Sequence, residues 1–404
     1  MLNEAADRFG TPLYVYDLDA LGARFDELER LFHEYFRVSY AIKSNPNTQV
    51  LAAIRPRIAT FDASSFAEVE RAVSAGAPPK DITLSGPGKR KEEIERAVAL
   101  GIGELVVESV EDAEIASETA VRLGRQQNIL VRINPLKVPR KFGASMAGRP
   151  SQFGVDEEVL PDALQKISRL PSLNLMGFHI YSGTNCLNAA AIAENFEIFL
   201  GIFREAARLT GRAPEKLIFG SGFGVPYLPD DLPLDVAALA QLISPIMADF
   251  RAEPQFSETE FVLEMGRWLI APVGWLLTTV IGAKDSRGSQ FRICDAGFNN
   301  HLAACGMMGS VFRRNWRYSN ISSPNGKPLT YTLTGPLCTT IDMLAANIEM
   351  PELAVGDVIS IENSGAYGLT ASPTRFISHP EPREVVYAGG DYVEATESLL
   401  NHWN

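Results

Sequence analysis

Apolar segments alternate with amphipathic segments along the chain from residue 38 to residue 264. Short apolar runs that end in polar or glycine residues are typical of buried strands, and the longer periodic segments are typical of helices. A chain that alternates strand and helix in this way builds a parallel sheet. The predicted strands are residues 38–43, 58–63, 81–85, 104–108, 129–134, 175–182, 216–220 and 260–264. The predicted helices are residues 65–75, 91–99, 110–123, 156–170, 189–209 and 236–251.

Eight strands that alternate with helices predict an α/β fold, a closed (β/α)8 barrel. Polar, charged and glycine residues gather where the strands stop, in the segments IKSN, FDASS, LSGPG, VES, RINP, HIYSG, GSGFG and EMGR. The carboxyl ends of barrel strands lie on one face, and this face usually carries the chemistry. The sequence therefore predicts a single pocket, with Lys43 at the end of its first strand.

The pattern changes after Arg267. Five later segments are strand-like with little helix between them, which predicts an all-β domain. An early strand at 12–17, between helices predicted at 2–9 and 18–35, precedes the barrel and can join the same sheet. We predict a barrel at residues 25–265 and a β-domain formed by 1–24 and 266–404. The five segments are residues 268–283, 290–295, 331–334, 357–362 and 383–387, and residues 319–328 are predicted to be an exposed loop.

Composition narrows the class of protein. A length of 404 residues suits two domains, and the net charge of −12 argues against a nucleic-acid partner. No apolar run approaches the ~20 residues of a membrane span, and the polar start MLNEAADRFG has no secretory pattern. The four cysteines and five histidines are scattered, so neither a disulfide framework nor a metal site is predicted. We expect a cytoplasmic protein.

Several strand-end residues are candidates for chemistry. A partly desolvated Lys43 amine can attack a carbonyl to form a Schiff base, although a lysine after a strand is more often a solvated loop charge. The glycines of 220–224 suit an anion, or they form a plain tight turn. Glu264 suits a protonated ring nitrogen and Arg267 a phosphate, or the two form a local ion pair.

Four further residues have equally ordinary alternatives. His179 is placed to stack on a ligand ring, but a lone histidine on an apolar strand is usually a core residue. Asp62 is also a plausible helix N-cap. Cys338 is either a reactive thiol or inert packing, and Tyr367 either reaches a phosphate or packs beside its flanking glycines.

Ten motifs together resemble one family. They are YAIKSNP, FDASS with Glu68, SGPGK, RINP, QFG at 152–154, FHIYSG, GSGFGVPY, EMGR, GPLCTTID and ENSGAYG. In this order they resemble the fold type III pyridoxal-phosphate decarboxylases, the diaminopimelate and ornithine decarboxylase group. The resemblance extends from residue 12 to about residue 386 and implies an alanine racemase-like fold, in which a barrel is followed by a β-domain.

The resemblance also implies roles. Lys43 would hold pyridoxal phosphate as a Schiff base, His179 would stack on its ring, and Glu264 would pair with the ring nitrogen. Cys338 would be the general acid that returns a proton to Cα, reaching the pocket from the second subunit of a homodimer. The remaining cofactor-binding residues would be Asp62, Ser182, Gly222, Gly224, Gly266, Arg267 and Tyr367.

One departure from the family bears on the substrate. The residue after the cysteine is typically acidic in the diaminopimelate and ornithine branches, but here it is Thr339, with Asp342 the only acid nearby. The missing acid argues against a free diamino acid with a distal ammonium. Arg313 and Arg314, with Arg317, are candidates to bind citrate carboxylates or an acidic carrier protein, or they form a solvated basic loop.

The resemblance leaves several substrates open. The first expectation is a citryl-diamino-acid intermediate of siderophore biosynthesis, such as N-citrylornithine or citryl-diaminopropionate. The alternatives are L-glutamate carried on an acyl carrier protein in antibiotic biosynthesis, or free diaminopimelate, ornithine or lysine. A racemase is less expected, because an acid at Glu264 favours decarboxylation. A non-catalytic regulatory homologue is disfavoured by the presence of both Lys43 and Cys338.

Overall fold

The computed structural model describes residues 1–307 and 314–397. Two compact units are present. One comprises Phe25–Gly224 and Pro233–Gly266, and the other comprises Met1–Arg24, Val225–Leu232 and the described residues from Arg267 onward.

The first unit contains a closed barrel of eight parallel strands. Each strand pairs with the next along the chain, and the last pairs with the first, so the sheet has no open edge among these strands. The predicted (β/α)8 barrel is confirmed. The strands are Arg37–Ala41, Thr60–Ala63, Ile82–Leu84, Glu104–Val107, Gln127–Asn134, Leu173–Ile180, Lys216–Gly220 and Glu260–Met265.

Apolar side chains fill the barrel, and amphipathic helices surround it. Val106, Leu130, Ile218 and Val262, each from a different strand, form a buried cluster. Four of the six predicted helices begin after a side chain that accepts a backbone N–H, which fixes where each helix starts. The helices from residue 48 to residue 252 are Thr48–Ile54, Phe66–Ser74, Lys91–Leu100, Val110–Arg122, Leu160–Ile167, Ala189–Thr210 and Val236–Ala252.

Short elements complete this unit. The helix at Thr48–Ile54 was not predicted from the sequence, although Asn47 caps it. The short strands are Ala144–Ser145, Val155–Asp156 and Gly183–Thr184, and the 3-10 turns are Ile42–Ser44, Arg55–Arg57, Pro79–Asp81 and Glu157–Val159.

The second unit is built around a mixed β-sheet. The early strand Leu13–Asp17 pairs with Gly274–Ser286 on one side and with Arg383–Ala388 on the other, so it joins the later strands as predicted. The other strands of this unit are Ser289–Cys294, Tyr318–Asn320, Pro328–Thr334, Met343–Pro351, Val358–Ile361 and Asp391–Glu394. Its helical segments are Leu2–Phe9, Arg267–Ile270, Ala271–Val273, Leu369–Ala371 and Phe376–Ser378, and the helix Leu18–Phe32 leads into the barrel.

Two predictions for this unit were wrong in part. Residues 268–283 do not form one strand, because a short helix and a turn containing Pro272 occupy 267–273 and the strand begins at Gly274. Proline lacks the N–H that a strand interior needs. The loop predicted at 319–328 begins with the last residues of the strand Tyr318–Asn320. No helix among the described residues is long and apolar enough to cross a membrane.

Candidate active site

Lys43 lies in a short turn that follows the first barrel strand. Its Nζ is 3.4 Å from Asp62 Oδ2, 3.4 Å from Ser64 Oγ and 3.7 Å from Glu264 Oε1. The side chain is 41% exposed, so a reactant can still approach the amine while the two carboxylates contact it. The fold therefore brings together three of the sequence-predicted site residues: Lys43 just after the first strand, Asp62 in the second and Glu264 in the eighth.

Two buried carboxylates flank the amine, and their pKa values move in opposite directions. Burial raises the pKa of Asp62, nearby Glu264 raises it further, and Lys43 opposes both. Burial also acts to raise the pKa of Glu264, but Lys43 and the hydrogen bond from His179 lower it to about 2. Glu264 is therefore the fixed anion of the pair. Asp62 is held by a 2.6 Å hydrogen bond from Ser85 Oγ.

His179 is buried beside Glu264. Its Nε2 lies 2.9 Å from Glu264 Oε2, and because a carboxylate only accepts, Nε2 is the donor. The other ring nitrogen, Nδ1, is buried and has no hydrogen-bond partner among the described residues. The bond with Glu264 fixes the imidazole ring at the carboxyl end of its strand. The two residues are 85 positions apart in the sequence.

Glu68 is a part of this site whose role sequence reasoning missed. Its Oε2 accepts the N–H of Ser64 at 2.7 Å, and the Ser64 hydroxyl in turn contacts Lys43. Burial raises the pKa of Glu68 to about 7, with the Ser64 N–H and Lys43 acting against it. Glu68 occurs in a motif quoted above. It lies in the first turn of a helix that Ser65 caps, where an acid is an ordinary capping residue, so its position alone did not indicate a role in the site.

Arg132 is a second residue that was missed. Its guanidinium donates to Glu108 Oε1 at 2.9 Å, and both side chains are buried. The Glu108 carboxylate also accepts the backbone N–H groups of Gly86 and Gly154, so it joins three loops at the carboxyl ends of the strands. Burial acts to raise the pKa of Glu108, but Arg132 and Lys89 outweigh it and the pKa is lowered. The motif RINP contained Arg132 without indicating its partner.

The glycine loop after the seventh strand is tightly constrained. Gly222 has a φ of +65°, and a Cβ there would meet Phe142 Cζ at 2.6 Å. A Cβ at Gly224 would meet the carbonyl oxygen of Cys186 at 2.7 Å. The hydroxyl of Ser182 is buried and has no hydrogen-bond partner among the described residues. Close backbone approach beside an unsatisfied hydroxyl suits a phosphate group.

These features fit the predicted cofactor, pyridoxal phosphate. The Lys43 amine suits the aldehyde of the cofactor, and Glu264 suits its ring nitrogen. The hydroxyl of Ser182, which lacks a partner among the described residues, and the glycine loop suit the phosphate. Gly266 follows the eighth strand, and a Cβ there would come within 3.2 Å of the Ser44 side chain. No group of three or more His, Cys, Asp or Glu within residues 1–307 and 314–397 is arranged to hold a metal ion.

Replacing Gly222 with alanine tests the glycine loop. The added Cβ requires both a strained backbone and displacement of Phe142, so we expect the Kd for pyridoxal phosphate to rise by about tenfold or more. The measurement is a titration of cofactor-free protein followed by absorbance. Gly211→Ala is the matched control, because Gly211 has a φ of +63° and nothing within 4 Å of its Cβ position. Equal affinity in both variants would contradict the assignment.

Arg267 and Tyr367 lie together in the second unit. The guanidinium carbon of Arg267 is 4.6 Å from the ring centroid of Tyr367, and Arg267 Nη1 donates to the Tyr227 hydroxyl at 2.8 Å. Tyr227 stacks on Trp316 with centroids 4.3 Å apart. The phosphate-binding role of Arg267 and Tyr367 stays a prediction, and Tyr227 is a neighbour that the sequence had not singled out.

Cys338 lies on a loop that is pinned by Asp342. The cysteine is exposed, whereas Asp342 is buried and accepts the N–H groups of Phe298 at 2.9 Å and Leu337 at 2.8 Å. These contacts favour a structural role for Asp342 over the substrate-binding role predicted from the sequence. Thr339 is half-buried, and its main chain closes the turn that follows the cysteine.

The arginines predicted to bind substrate have different surroundings. Arg313 lies outside the described residues. Arg314 is exposed and pairs with Asp230 at 3.5 Å. The guanidinium of Arg317 donates to the carbonyl oxygens of Leu228, Pro229 and Asp231 and so holds the main chain of residues 228–231 in place.

Comparisons with known proteins agree with this arrangement. The family model for the pyridoxal binding domain of pyridoxal-dependent decarboxylases matches residues 18–271. The L-glutamyl-[BtrI acyl-carrier protein] decarboxylase of Niallia circulans is 33% identical over 95% of this chain and 90% of its own length. The 2-[(L-alanin-3-ylcarbamoyl)methyl]-2-hydroxybutanedioate decarboxylase of Staphylococcus aureus is 26% identical over 93% of each chain.

A solved structure has the same fold. Diaminopimelate decarboxylase of Helicobacter pylori, complexed with L-lysine, superposes with a TM-score of 0.85 at 26% identity. The match covers 100% of this chain and 98% of that one. The fold agreement therefore extends beyond the barrel to the strands that follow it.

Proposed function

The chain belongs to the pyridoxal-dependent decarboxylases, and we propose that its substrate is an amino acid whose far end is conjugated through an amide or thioester. The coarser activity is that of the family: removal of a carboxylate from an amino acid by a pyridoxal-phosphate enzyme. The proposal concerns which amino acid, and which residues act.

In this proposal Lys43, His179, Ser182 and the glycines at 222 and 224 hold the cofactor, with Asp62 and Glu264 beside its ring. Pyridoxal phosphate, when bound, supplies an electron sink for the electron pair left when carbon dioxide departs. The described contacts support these assignments, because the Lys43 amine lies 3.4 Å from a carboxylate oxygen of Asp62 and 3.7 Å from one of Glu264.

Side chains of the protein would determine the protonation state of the cofactor's ring nitrogen. Glu264 has a pKa of about 2 and stays an anion at working pH, so it can keep a ring nitrogen protonated. The hydrogen bond from His179 fixes the direction of that carboxylate. Arg132 is near enough to lower the pKa of Glu264 further, and Glu108 fixes the Arg132 guanidinium. Cys338 is proposed to return a proton to Cα from the second subunit of a homodimer.

One observation carries the substrate proposal. By the family resemblance, Thr339 stands where the diaminopimelate and ornithine branches have an acid that recognises the distal end. Asp342, the only nearby acid, has its two oxygens bound to backbone N–H groups and is not free to replace it. A distal ammonium would then lack its counter-charge, whereas an amide or thioester needs none.

Among conjugates we favour a glutamyl thioester on an acyl carrier protein. The similarity to the Niallia circulans enzyme supports this choice, because that relative is 33% identical and acts on a carrier-bound glutamyl group by its name. The arginine cluster does not separate this choice from a citryl conjugate, since Arg317 is occupied by backbone carbonyls and Arg314 pairs with Asp230.

A citryl-diamino-acid is the second candidate. The Staphylococcus aureus relative supports it, because its name describes an alanine unit joined by an amide to a hydroxylated dicarboxylate. Both candidates present the distal end without a free ammonium, so the observation at Thr339 and Asp342 does not separate them.

Release of carbon dioxide from a panel of substrates tests the proposal. The panel is L-glutamate loaded on the BtrI carrier protein, the compound named for the Staphylococcus aureus relative, diaminopimelate and L-ornithine. An ammonium that loses its hydration without gaining a counter-charge costs about 3 kcal/mol or more, so we expect kcat/KM for the free diamino acids to be lower by roughly 100-fold or more. Comparable kcat/KM for diaminopimelate or ornithine would overturn it.

A further inference from the structure

A basic loop interrupts an otherwise acidic chain. Residues 136–150, here called the basic loop, contain Lys137, Arg140, Lys141 and Arg149 and no aspartate or glutamate. The whole chain has a net charge of −12, so this concentration of positive charge is local. None of the roles proposed above uses these four side chains.

The basic loop lies at the reactive end of the barrel. It follows the carboxyl end of the fifth strand, Gln127–Asn134, and all barrel strands are parallel, so it is on the same end as Lys43. Its strand Ala144–Ser145 pairs with Gly183–Thr184, and the N–H of Met146 donates to the carbonyl of Ser182 at 2.7 Å. The loop is therefore fixed beside Ser182 and the glycine loop.

Three of its cations are exposed and form no ion pair with any described residue. These are Lys137, Arg140 and Lys141. Glu157 accepts the backbone N–H of Leu136 at 2.8 Å. Some surface arginines elsewhere on the same unit pair with acids, as in Arg57–Asp26, Arg96–Glu70, Arg122–Glu95 and Arg204–Glu253, whereas Arg169 and Arg212 form no ion pair with any described residue. The basic loop differs because its three unpaired cations lie close together, within residues 137–141, beside the active site. Unmatched charge beside an active site suits a partner that brings the opposite sign.

We propose that the basic loop is the docking surface for an acidic acyl carrier protein that delivers the amino acid on its flexible arm. The inference rests on the proposed function, because only a carrier-bound substrate needs a protein surface beside the pocket. The arm must enter at the carboxyl ends of the strands, and the carrier must stay outside, where the basic loop lies. Exposed charges contribute little to holding a small ligand, but several of one sign attract and orient a charged protein.

Charge reversal tests the proposal on the holoenzyme. The variant Lys137→Glu, Arg140→Glu, Lys141→Glu is compared with wild type on L-glutamate loaded on the BtrI carrier protein and on the L-glutamyl thioester of free pantetheine. We expect kcat/KM for the carrier-bound substrate to fall by roughly 10- to 100-fold and to lose its dependence on salt. The value for the pantetheine thioester should change less than about twofold, since three exposed charges contribute little to a small ligand.

The matched control reverses three exposed charges at the other end of the barrel. The control residues are Lys166, Arg169 and Arg212, which lie at or just after the C-terminal ends of two barrel helices. These helices run away from the end that carries Lys43, so reversing the three charges should leave kcat/KM for both substrates unchanged. An unchanged carrier-bound rate in the basic-loop variant would overturn docking. An equal fall for both substrates would also overturn it, and would instead indicate contact with the substrate itself. If wild type acts on neither thioester, the proposed function has failed and docking fails with it.

Discussion

Replacing Lys43 with alanine is expected to abolish decarboxylation and the near-visible absorption band of the lysine-bound cofactor. The Lys43 amine follows the first barrel strand and can bond to an aldehyde, and its Nζ lies 3.4 to 3.7 Å from Asp62 and Glu264. A Schiff base requires a neutral primary amine, and alanine supplies none. The measurements are carbon dioxide release and the absorption spectrum of the purified variant with added pyridoxal phosphate.

Lys43→Arg separates the role of the amine from that of its charge. A guanidinium keeps the positive charge beside Asp62 and Glu264, but it stays protonated and does not act as the nucleophile. We expect this variant to lack activity and the absorption band as well, while it keeps more of the wild-type stability than Lys43→Ala. Retention of the band in either variant would refute the assignment of Lys43 as the anchor.

Replacing Glu264 with glutamine is expected to lower kcat by about 100-fold or more while the cofactor stays bound, a size typical of a lost preorganised charge. The substitution keeps the shape and the hydrogen bond with His179, but it removes the anion that holds a ring nitrogen protonated. The measurements are single-turnover carbon dioxide release and the amount of pyridoxal phosphate bound per chain.

The same substitution has a consequence for stability at low pH. The pKa of Glu264 is lowered from 4.5 to about 2, so its ionised form stabilises the fold above pH 4.5, and this contribution is lost as the pH falls toward 2. The urea-unfolding free energy of wild type should therefore depend more steeply on pH in this window than that of Glu264→Gln. Equal slopes would show that Glu264 is not the low-pKa group.

Glu104→Gln is the control for both measurements. Glu104 is also buried and paired with a lysine, Lys216, but it begins its strand and so lies at the opposite end of the barrel. We expect this variant to lose stability, because Lys216 loses part of its counter-charge, and to keep kcat in the folded fraction. A similar loss of kcat in both variants would mean that Glu264 acts only through stability.

Local pattern was enough to locate most of the barrel. The seventh strand was predicted at 216–220 and lies at Lys216–Gly220, and the helix predicted at 189–209 is Ala189–Thr210. Both depend on the period of apolar residues within one segment, which the sequence contains directly. The prediction of one strand at 268–283 was wrong because its apolar composition suits a strand, while Pro272 and the turn before Gly274 require a break.

The contacts that site residues make with one another could not be predicted from local pattern. Glu68 and Arg132 belong to quoted motifs, yet their importance depends on Ser64 and on Glu108, contacts that form only when strands and loops are assembled. Asp342 was a candidate to bind substrate, and its contacts with backbone N–H groups of its own unit could not be predicted from local pattern. Arg317 was a candidate to bind an anion or to belong to a solvated basic loop, and its hydrogen bond to the carbonyl oxygen of Leu228 likewise depends on the folded chain.

The sequence by itself determined the alternation of strands and helices, the eight strands of the barrel, the position of Lys43 and the family resemblance, because each is a property of residues near one another in the chain. Only the tertiary structure decided the distances from the lysine to its acids, the direction in which each pKa shifts and which surface charges lack an ion pair. The physical reason is that burial and pairing join residues far apart in sequence, as His179 and Glu264 are, and no local pattern records that distance.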